Sequence, residues 1–275
     1  RLIDADTFVP LLPSKKGRVG FGDEVITGFA KVSGRPIALF VNDPQVKQGY
    51  VTSKGAIKIR RLMDRTLELG IPLVALLNSP GVSVEEGAAS GDEYASVLMG
   101  HCELSGVVPQ LAGVMGANIG APAYSATLMD LSFFSRLRSY ICVSGPGVVL
   151  QALGEKATYQ ELGGSAMHAS KTGLAHFVDT NMEIQLQRMR WILDFLPSNF
   201  REDPPKRMVR EPRQKLPHIP SEPEVGFDVN ELIGALVDDS EWMEYAADFG
   251  PSMVNAFAYM GGHAVGVVAN QSLHL

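Results

Sequence analysis

Residues 26–42 read ITGFAKVSGRPIALFVN, and residues 254–270 read VNAFAYMGGHAVGVVAN. In the first stretch two β-rich runs, 25–32 and 37–41, flank Ser33-Gly34-Arg35-Pro36. That pattern predicts a hairpin whose turn contains Gly and Pro. The second stretch repeats the first: Phe29 matches Phe257, Ala30 matches Ala258, Gly34 matches Gly262 and Asn42 matches Asn270. The approach repeats as well, since Leu2-Ile3-Asp4-Ala5-Asp6-Thr7-Phe8-Val9 parallels Leu236-Val237-Asp238-Asp239-Ser240-Glu241-Trp242-Met243. Self-similarity at the spacing of a whole domain predicts an internal duplication, with the second copy present only through its first hairpin.

Outward from that hairpin, strands and helices alternate. Residues 53–69 carry Ala56, Ile59, Met63 and Leu67 at helical spacing, with Lys54, Lys58, Arg61 and Arg65 on the other face. Gly70 and Pro72 stop the helix. Residues 71–77 form a continuous apolar run, as expected of a strand covered on both faces. A helix is expected from 85 to about 103, a strand over 107–115, a loop over 116–120 and a short helix over 121–129. Further strands are expected at 131–134, 140–143 and 175–178, and helices at 148–153 and 181–195. Alternation of this kind predicts an α/β fold.

The stretch from Pro197 to Pro223 is different material. Seven prolines fall in it among many charges, which predicts a linker or a draped, extended segment. Its Arg201, Lys206, Arg207, Arg210, Arg213 and Lys215 suit a solvated linker, with a phosphate contact as the alternative. The division expected is a first domain at 1–197, a linker at 198–225 and the opening of a second domain at 226–275. A start at Arg1 and a stop just after an apolar strand suggest a piece of a longer protein.

Composition bounds the function. Of 275 residues, 45% are apolar and 20% charged, a globular balance. A net charge of −6 speaks against a nucleic-acid binder working by phosphate neutralisation. No window approaches ~18 uninterrupted apolar residues, so no membrane span is expected. Two cysteines, Cys102 and Cys142, leave no disulfide framework and no CxxC zinc site, and suit a reducing compartment.

Side-chain chemistry is sparse. The six histidines make no HExxH or other tight ligand spacing, and His168 and His176 read as loop hydrogen-bonders. There is no GxSxG elbow, and His101 beside Cys102 on a helix does not face it. Glu85 and Glu86 could supply a carboxylate base, but read first as acids at a helix N-terminus. The glycine-rich Gly17-Arg18-Val19-Gly20-Phe21-Gly22 is followed by no helix, so it is no dinucleotide fingerprint. Two strand–loop–helix junctions remain, Leu77-Asn78-Ser79-Pro80-Gly81-Val82 and Met115-Gly116-Ala117-Asn118-Ile119-Gly120-Ala121-Pro122. Both place small residues where backbone N–H groups at a helix start lack partners, as an oxyanion site requires. Close packing of helix on strand asks for the same small residues.

The stretches GFGDEVITGFAKVSGRPIALFVND, IRRLMDRTLELGIPLVALLNS, LSGVVPQLAGVMGAN, AYSATLMDLSFF, VSGPGVV, ELGGSAMHASKTGLAHFV and GPSMVNAFAYMGGHAVGVVANQ run in order through nearly the whole chain. In them the chain resembles the carboxyltransferase (β) subunit of biotin-dependent acyl-CoA carboxylases, of the propionyl-CoA carboxylase type. The resemblance implies a crotonase-type fold of stacked strand–strand–helix units, with the opening of a second, repeated domain. It implies an enzyme that moves CO2 from carboxybiotin to the α-carbon of an acyl-CoA through a thioester enolate. The implied cofactor is biotin on a separate carrier protein or domain, with no metal. The implied partners are acyl-CoA, a biotin carboxylase or biotin carrier subunit and the other subunits of a hexamer, in the cytoplasm or the mitochondrial matrix.

Carried onto this sequence, the resemblance makes Gly120 and Ala121 the oxyanion hole and Gly81 and Val82 a second donor pair. Lys58 and Arg61 are the candidates for the CoA phosphates, against the alternative of a solvated helix face. The chain departs from the family's pattern at several of these positions. Where the family's first loop typically reads Asp-Ser-Gly-Gly-Ala-Arg, this one has Asn78-Ser79-Pro80-Gly81-Val82-Ser83, and Pro80 has no N–H to offer. Where the second typically reads Cys-Ala-Gly-Gly-Ala, this one has Asn118-Ile119-Gly120-Ala121-Pro122. Gly147 stands where the family's Gly-Pro-Asp segment has Asp. These departures leave two alternatives open: an acyl-CoA decarboxylase or other enolate-forming crotonase-type enzyme, and a degenerate structural subunit of a mixed carboxylase complex.

Overall fold

Alternating apolar residues on β3 (Arg35–Asn42) and β4 (Leu73–Ser79) divide the interior in two. Ala38, Phe40, Leu73, Ala75 and Leu77 face one core, while Ile37, Leu39 and Val74 face the other. Successive side chains of a strand point to opposite faces, so a strand without polar alternation needs cover on both sides. The structure is a computed structural model, and it describes residues 1–11, 23–222 and 224–274. The glycine-rich run at 17–22 lies outside the described residues.

The main sheet begins with the antiparallel strands β1 (Val9–Pro10), β2 (Val25–Val32) and β3. It continues in parallel through β4, β5 (Gln110–Ile119), β6 (Leu131–Ser135) and β8 (Phe177–Asp179). The long β5 pairs with β6 through Leu111–Val114 and then with β7 (Tyr140–Cys142) through Ala117–Ile119. The expected loop at 116–120 is therefore strand up to Ile119, because the small residues there pack against β7 and β4. A Cβ on Gly116 would stand 2.5 Å from Asn78 Oδ1, so a larger residue there would have to displace the Asn78 side chain.

The crossovers are helical: α1 (Ser53–Leu69) joins β3 to β4, α2 (Ala88–Leu104) joins β4 to β5, and α3 (Ala121–Leu128) joins β5 to β6. After them come α4 (Pro146–Leu153), the short α5 (Tyr159–Gly163) and α6 (Ser165–Met167), and α7 (Met182–Ile192). α1 keeps its expected bounds and ends at Gly70 in the left-handed conformation. Its buried stripe differs from the expected one: Leu62 and Thr66 join Ala56, Ile59 and Met63 in facing the core, and Leu67 is exposed. The Thr66 hydroxyl is satisfied within the helix, donating to Leu62 O at 2.7 Å, which lets a polar residue sit there.

The described residues from 198 to 227 form no helix or strand and lie draped across the body, as the composition of this stretch predicts. Arg207 bonds to Asp194, its guanidinium lying over the rings of Phe195 and Tyr259, while Arg210 and Arg213 bond to Asp239. Helix α8 (Val229–Leu236) leads into a three-stranded sheet of β9 (Trp242–Tyr245), β10 (Met253–Met260) and β11 (His263–Asn270).

This sheet repeats the start of the chain in register. Val25 pairs with Asn42 and Val32 with Arg35; Met253 pairs with Asn270 and Met260 with His263. Val9 meets Phe29, and Met243 meets Phe257. Both turns have two residues at positive φ, Ser33-Gly34 and Gly261-Gly262, so the first turn is tighter than the four residues expected and Pro36 belongs to the strand. Met243 and Tyr259 are buried in the same core as Leu39, Val74, Phe133 and Met189.

Candidate active site

The two junctions singled out in the sequence meet at the carboxyl ends of β4 and β5. These strands run parallel, from Leu73 beside Gln110 to Ser79 beside Asn118. In open parallel sheets that end of the strands is where loops and helix N-termini gather around ligands. Gly81 has φ 142° and Gly120 has φ 67°, both in the region that favours glycine. A Cβ on Gly81 would stand 3.8 Å from Ile119 O, so the two loops are neighbours.

Their N–H groups do not act as the sequence suggested. Gly120 N–H donates to Cys142 O at 3.1 Å, tying the junction to β7. Gly81 N–H donates to the Ser79 hydroxyl oxygen at 3.3 Å, while that hydroxyl donates to Gly81 O. The expected pairs Gly120/Ala121 and Gly81/Val82 are thereby corrected: each loop has one donor already engaged. Ala121 and Val82 N–H make no hydrogen bond among the described residues. Ala121 is the first residue of α3, where the helix dipole favours negative charge. Val82 lies between two main-chain bonds, Val51 N–H to Gly81 O at 2.9 Å and Ser83 N–H to Val51 O at 2.8 Å. The arrangement offers two unengaged donors from adjoining loops, which suits an oxygen gaining negative charge.

Asn118 is a supporting residue that the sequence did not single out by itself. It is fully buried, and its Nδ2 donates to Pro122 O at 2.9 Å, fixing the first turn of α3. Beside Gly81 opens a cleft of about 310 Å³ lined by Lys47, Gln48, Tyr50, Ser83, Val84 and Glu85. Lys47, Gln48 and Tyr50 carried no binding signal in sequence, because 47–50 precedes a helix and holds no motif.

Lys58 and Arg61 separate in the fold. Lys58 is largely buried, bonded to Asp23 at 3.1 Å and to Val25 O, so it is not available to a phosphate. Arg61 is exposed and lines a separate hollow with Leu11, Asp64, Arg65 and Glu68. Glu86 accepts from Ser53 N–H and Ser53 Oγ–H, both at 2.6 Å, and these bonds hold its carboxyl below the usual range. It thus caps α1 from outside that helix.

His168 and His176 are structural hydrogen-bonders. His168 bonds to Thr172 Oγ1 at 2.9 Å and Ile141 O at 2.8 Å. His176 Nδ1 accepts from Ser132 N–H, and burial pushes its pKa down to about 4. Among the described residues no group of three His, Cys, Asp or Glu side chains is placed to hold a metal ion. Cys142 is buried, with its thiol pKa raised by burial, and Cys102 is exposed. No helix among the described residues is long and apolar enough to cross a membrane.

Comparison with known proteins gives this geometry a context. The family model for the carboxyl transferase domain matches residues 2–275. The propionyl-CoA carboxylase carboxyltransferase subunit of Haloferax mediterranei is 35% identical over 91% of this chain and 49% of its own length. The methylmalonyl-CoA decarboxylase subunit alpha of Veillonella parvula is 30% identical over 98% of this chain and 56% of its own. The chain thus spans about half the length of the curated relatives it matches. Among solved structures, a hexameric transcarboxylase 12S with methylmalonyl-coenzyme A bound superposes with a TM-score of 0.89. It is 29% identical, over 98% of this chain and 55% of its own. The fold is the crotonase-like carboxyltransferase fold.

Proposed function

This chain belongs to the carboxyl transferase domain family, and from that membership we propose that it contributes to an enzyme exchanging CO2 between a biotin carrier and the α-carbon of an acyl-CoA. The observation that carries the reading is the pair of unengaged N–H groups, Val82 and Ala121, on adjoining loops. In the corrected assignment both donors serve one oxygen, that of the thioester, as it gains charge on loss of the α-proton. Gly81 and Gly120 give the loops their shape and keep side chains away from the reacting carbon. The residues fit an acyl-CoA thioester on this ground, since donors held in a fixed backbone need no reorganisation when charge develops.

Biotin on a partner would supply the CO2 and the group that takes the α-proton. Biotin in that role asks for no side-chain base: Glu86 is committed to Ser53, and His168 and His176 to the fold, while Glu85 lines the cleft beside the donor loop. Pro80 lacks an N–H but removes no donor in this reading, because the unengaged group is two residues on, at Val82. This counts against a merely structural subunit.

A second reading has its own support in the likeness to a methylmalonyl-CoA decarboxylase subunit. It uses the same enolate in reverse, with CO2 leaving the acyl-CoA. The remaining elements of the proposal are the division at 1–197, 198–225 and 226–275, a hexameric assembly, and a cytoplasmic or mitochondrial-matrix setting.

The test is to incubate the intact protein with a carboxylated biotin carrier and an acyl-CoA panel, and separately with biotin carrier and methylmalonyl-CoA. Carboxyl transfer in the first assay supports the leading reading. CO2 release without transfer supports the decarboxylase, and inactivity in both overturns the enzyme reading.

A further inference from the structure

The loop before α1 is bound to the donor loop more tightly than a connection requires. Lys47, Gln48 and Gly49 have φ of 48°, 56° and 82°, three successive residues in the left-handed region. Non-glycine residues rarely adopt it, and such local strain persists only where surrounding structure imposes it. What imposes it here is close contact: a Cβ on Gly49 would stand 2.8 Å from Asn78 O and 3.5 Å from Pro80 Cδ. Val51 is then fastened to the donor loop on both sides of Val82, through Gly81 O and Ser83 N–H. Tyr50 sits between these restraints. Its Cε1 lies 3.9 Å from where a Cβ on Gly81 would be, and its ring borders the cleft of about 310 Å³ beside Val82. Its hydroxyl has no hydrogen-bond partner among the described residues, so the side chain is held by what flanks it in the chain.

We propose that Tyr50 is a specificity-determining residue, whose ring walls the space beside the Gly81–Val82 donor loop and limits the size of the acyl group. The inference rests on the proposed acyl-CoA chemistry and deepens it. Main-chain bonds hold the backbone on both sides of the ring, so an acyl chain that reaches it must displace the side chain or stop short. Discrimination by one methylene in an apolar pocket is roughly 10–200-fold. In this proposal the ring is the barrier to longer acyl groups, in a cleft whose other lining residues are Lys47, Gln48, Ser83, Val84 and Glu85.

The experiment compares the wild-type intact protein with Tyr50→Ala and Tyr50→Phe. It measures equilibrium binding of acetyl-, propionyl-, butyryl- and hexanoyl-CoA, alongside kcat/KM for carboxyl exchange. Tyr50→Ala is expected to shift the hexanoyl-to-propionyl ratio by at least about tenfold, as a truncated wall should. Tyr50→Phe should keep the wild-type ratio, since the ring and not the hydroxyl sets the limit. Circular dichroism checks that both variants fold. If wild-type protein binds and turns over acyl-CoA and Tyr50→Ala leaves both ratios unchanged, the assignment of Tyr50 is overturned while the functional reading stands. If wild-type protein neither binds nor turns over any acyl-CoA, both fall together. A Tyr50→Ala protein that fails to fold sends the question to Tyr50→Leu, for which an unchanged ratio is equally decisive against the wall.

Discussion

Asp4 and Asp238 hold equivalent posts: each carboxylate accepts both N–H groups of its own hairpin turn. Asp4 takes Ser33 at 3.2 Å and Gly34 at 2.8 Å; Asp238 takes Gly261 at 2.8 Å and Gly262 at 2.7 Å. Positive-φ turns leave their N–H groups pointing outward, and a carboxylate arriving from a preceding segment satisfies two at once. Bonds from Gly34 and Arg190 also hold the Asp4 carboxyl below its usual range. Substituting Asp238 with Ala should therefore speed amide hydrogen exchange at Gly261 and Gly262 selectively, and Asp4→Ala should do so at Ser33 and Gly34. Uniform exchange across either hairpin would show that the carboxylate does not hold the turn.

Ala121→Pro removes the N–H proposed as a donor at the first helical position, where proline is tolerated. Turnover should fall roughly 10²–10³-fold, the usual loss for an oxyanion donor. Near-native circular dichroism with near-wild-type turnover would remove Ala121 from the site. Ala121→Gly keeps the donor and removes a methyl, so the range of accepted acyl-CoAs should widen with little change in rate.

Lys58 and Arg61, neighbours on α1, should now behave differently. Lys58→Ala breaks the ion pair with Asp23 and the bond to Val25 O, so it should lower the unfolding midpoint and leave the acyl-CoA KM unchanged. Arg61→Glu should raise that KM if the exposed helix face meets the CoA phosphates. Steady-state kinetics on both variants decide, and an unchanged KM for Arg61→Glu assigns the face to solvent.

His101 gives a pH dependence. Gln110 Nε2 donates to His101 O, so Gln110 Oε1 accepts from His101 Nδ1–H, and Nε2 carries the buried lone pair. Burial lowers the pKa to about 4, from 6.5. Between those values the unfolded chain binds the proton and the folded chain does not. Stability should thus be full above pH ~6.5 and decline as the pH falls toward ~4, with a contribution from this site of about 3 kcal/mol. Denaturant unfolding across that range measures it, and a flat profile would contradict neutral burial of His101.

Periodicity made the bounds of α1 legible, because helical spacing and Gly70 act locally, although the buried stripe takes in Leu62 and Thr66 and leaves out Leu67. The duplication was legible for a similar reason, since it needed only comparison of the chain with itself. The end of β5 was not. Whether Ala117, Asn118 and Ile119 are loop or strand depends on β7, more than twenty residues on, and no local pattern announces that partner. The donors failed in the same way: Gly120 looked unengaged until Cys142 O came beside it, and Gly81 until Ser79 turned back. Lys58 read as a surface charge because Asp23 and the Val25 carbonyl come from another strand and its approach.

The burial of Met243 and Tyr259 among Leu39, Val74 and Met189 bears on how the chain can be divided. A cut after Pro197, the proposed end of the first domain, would take Met243 and Tyr259 out of a core that the first domain shares with them. Residues 1–197 alone would present that part of the core to water and self-associate. The repeat at 236–270 is a second copy in strand register and, by position, part of the cover of that core. Heat should melt both together in a single calorimetric peak.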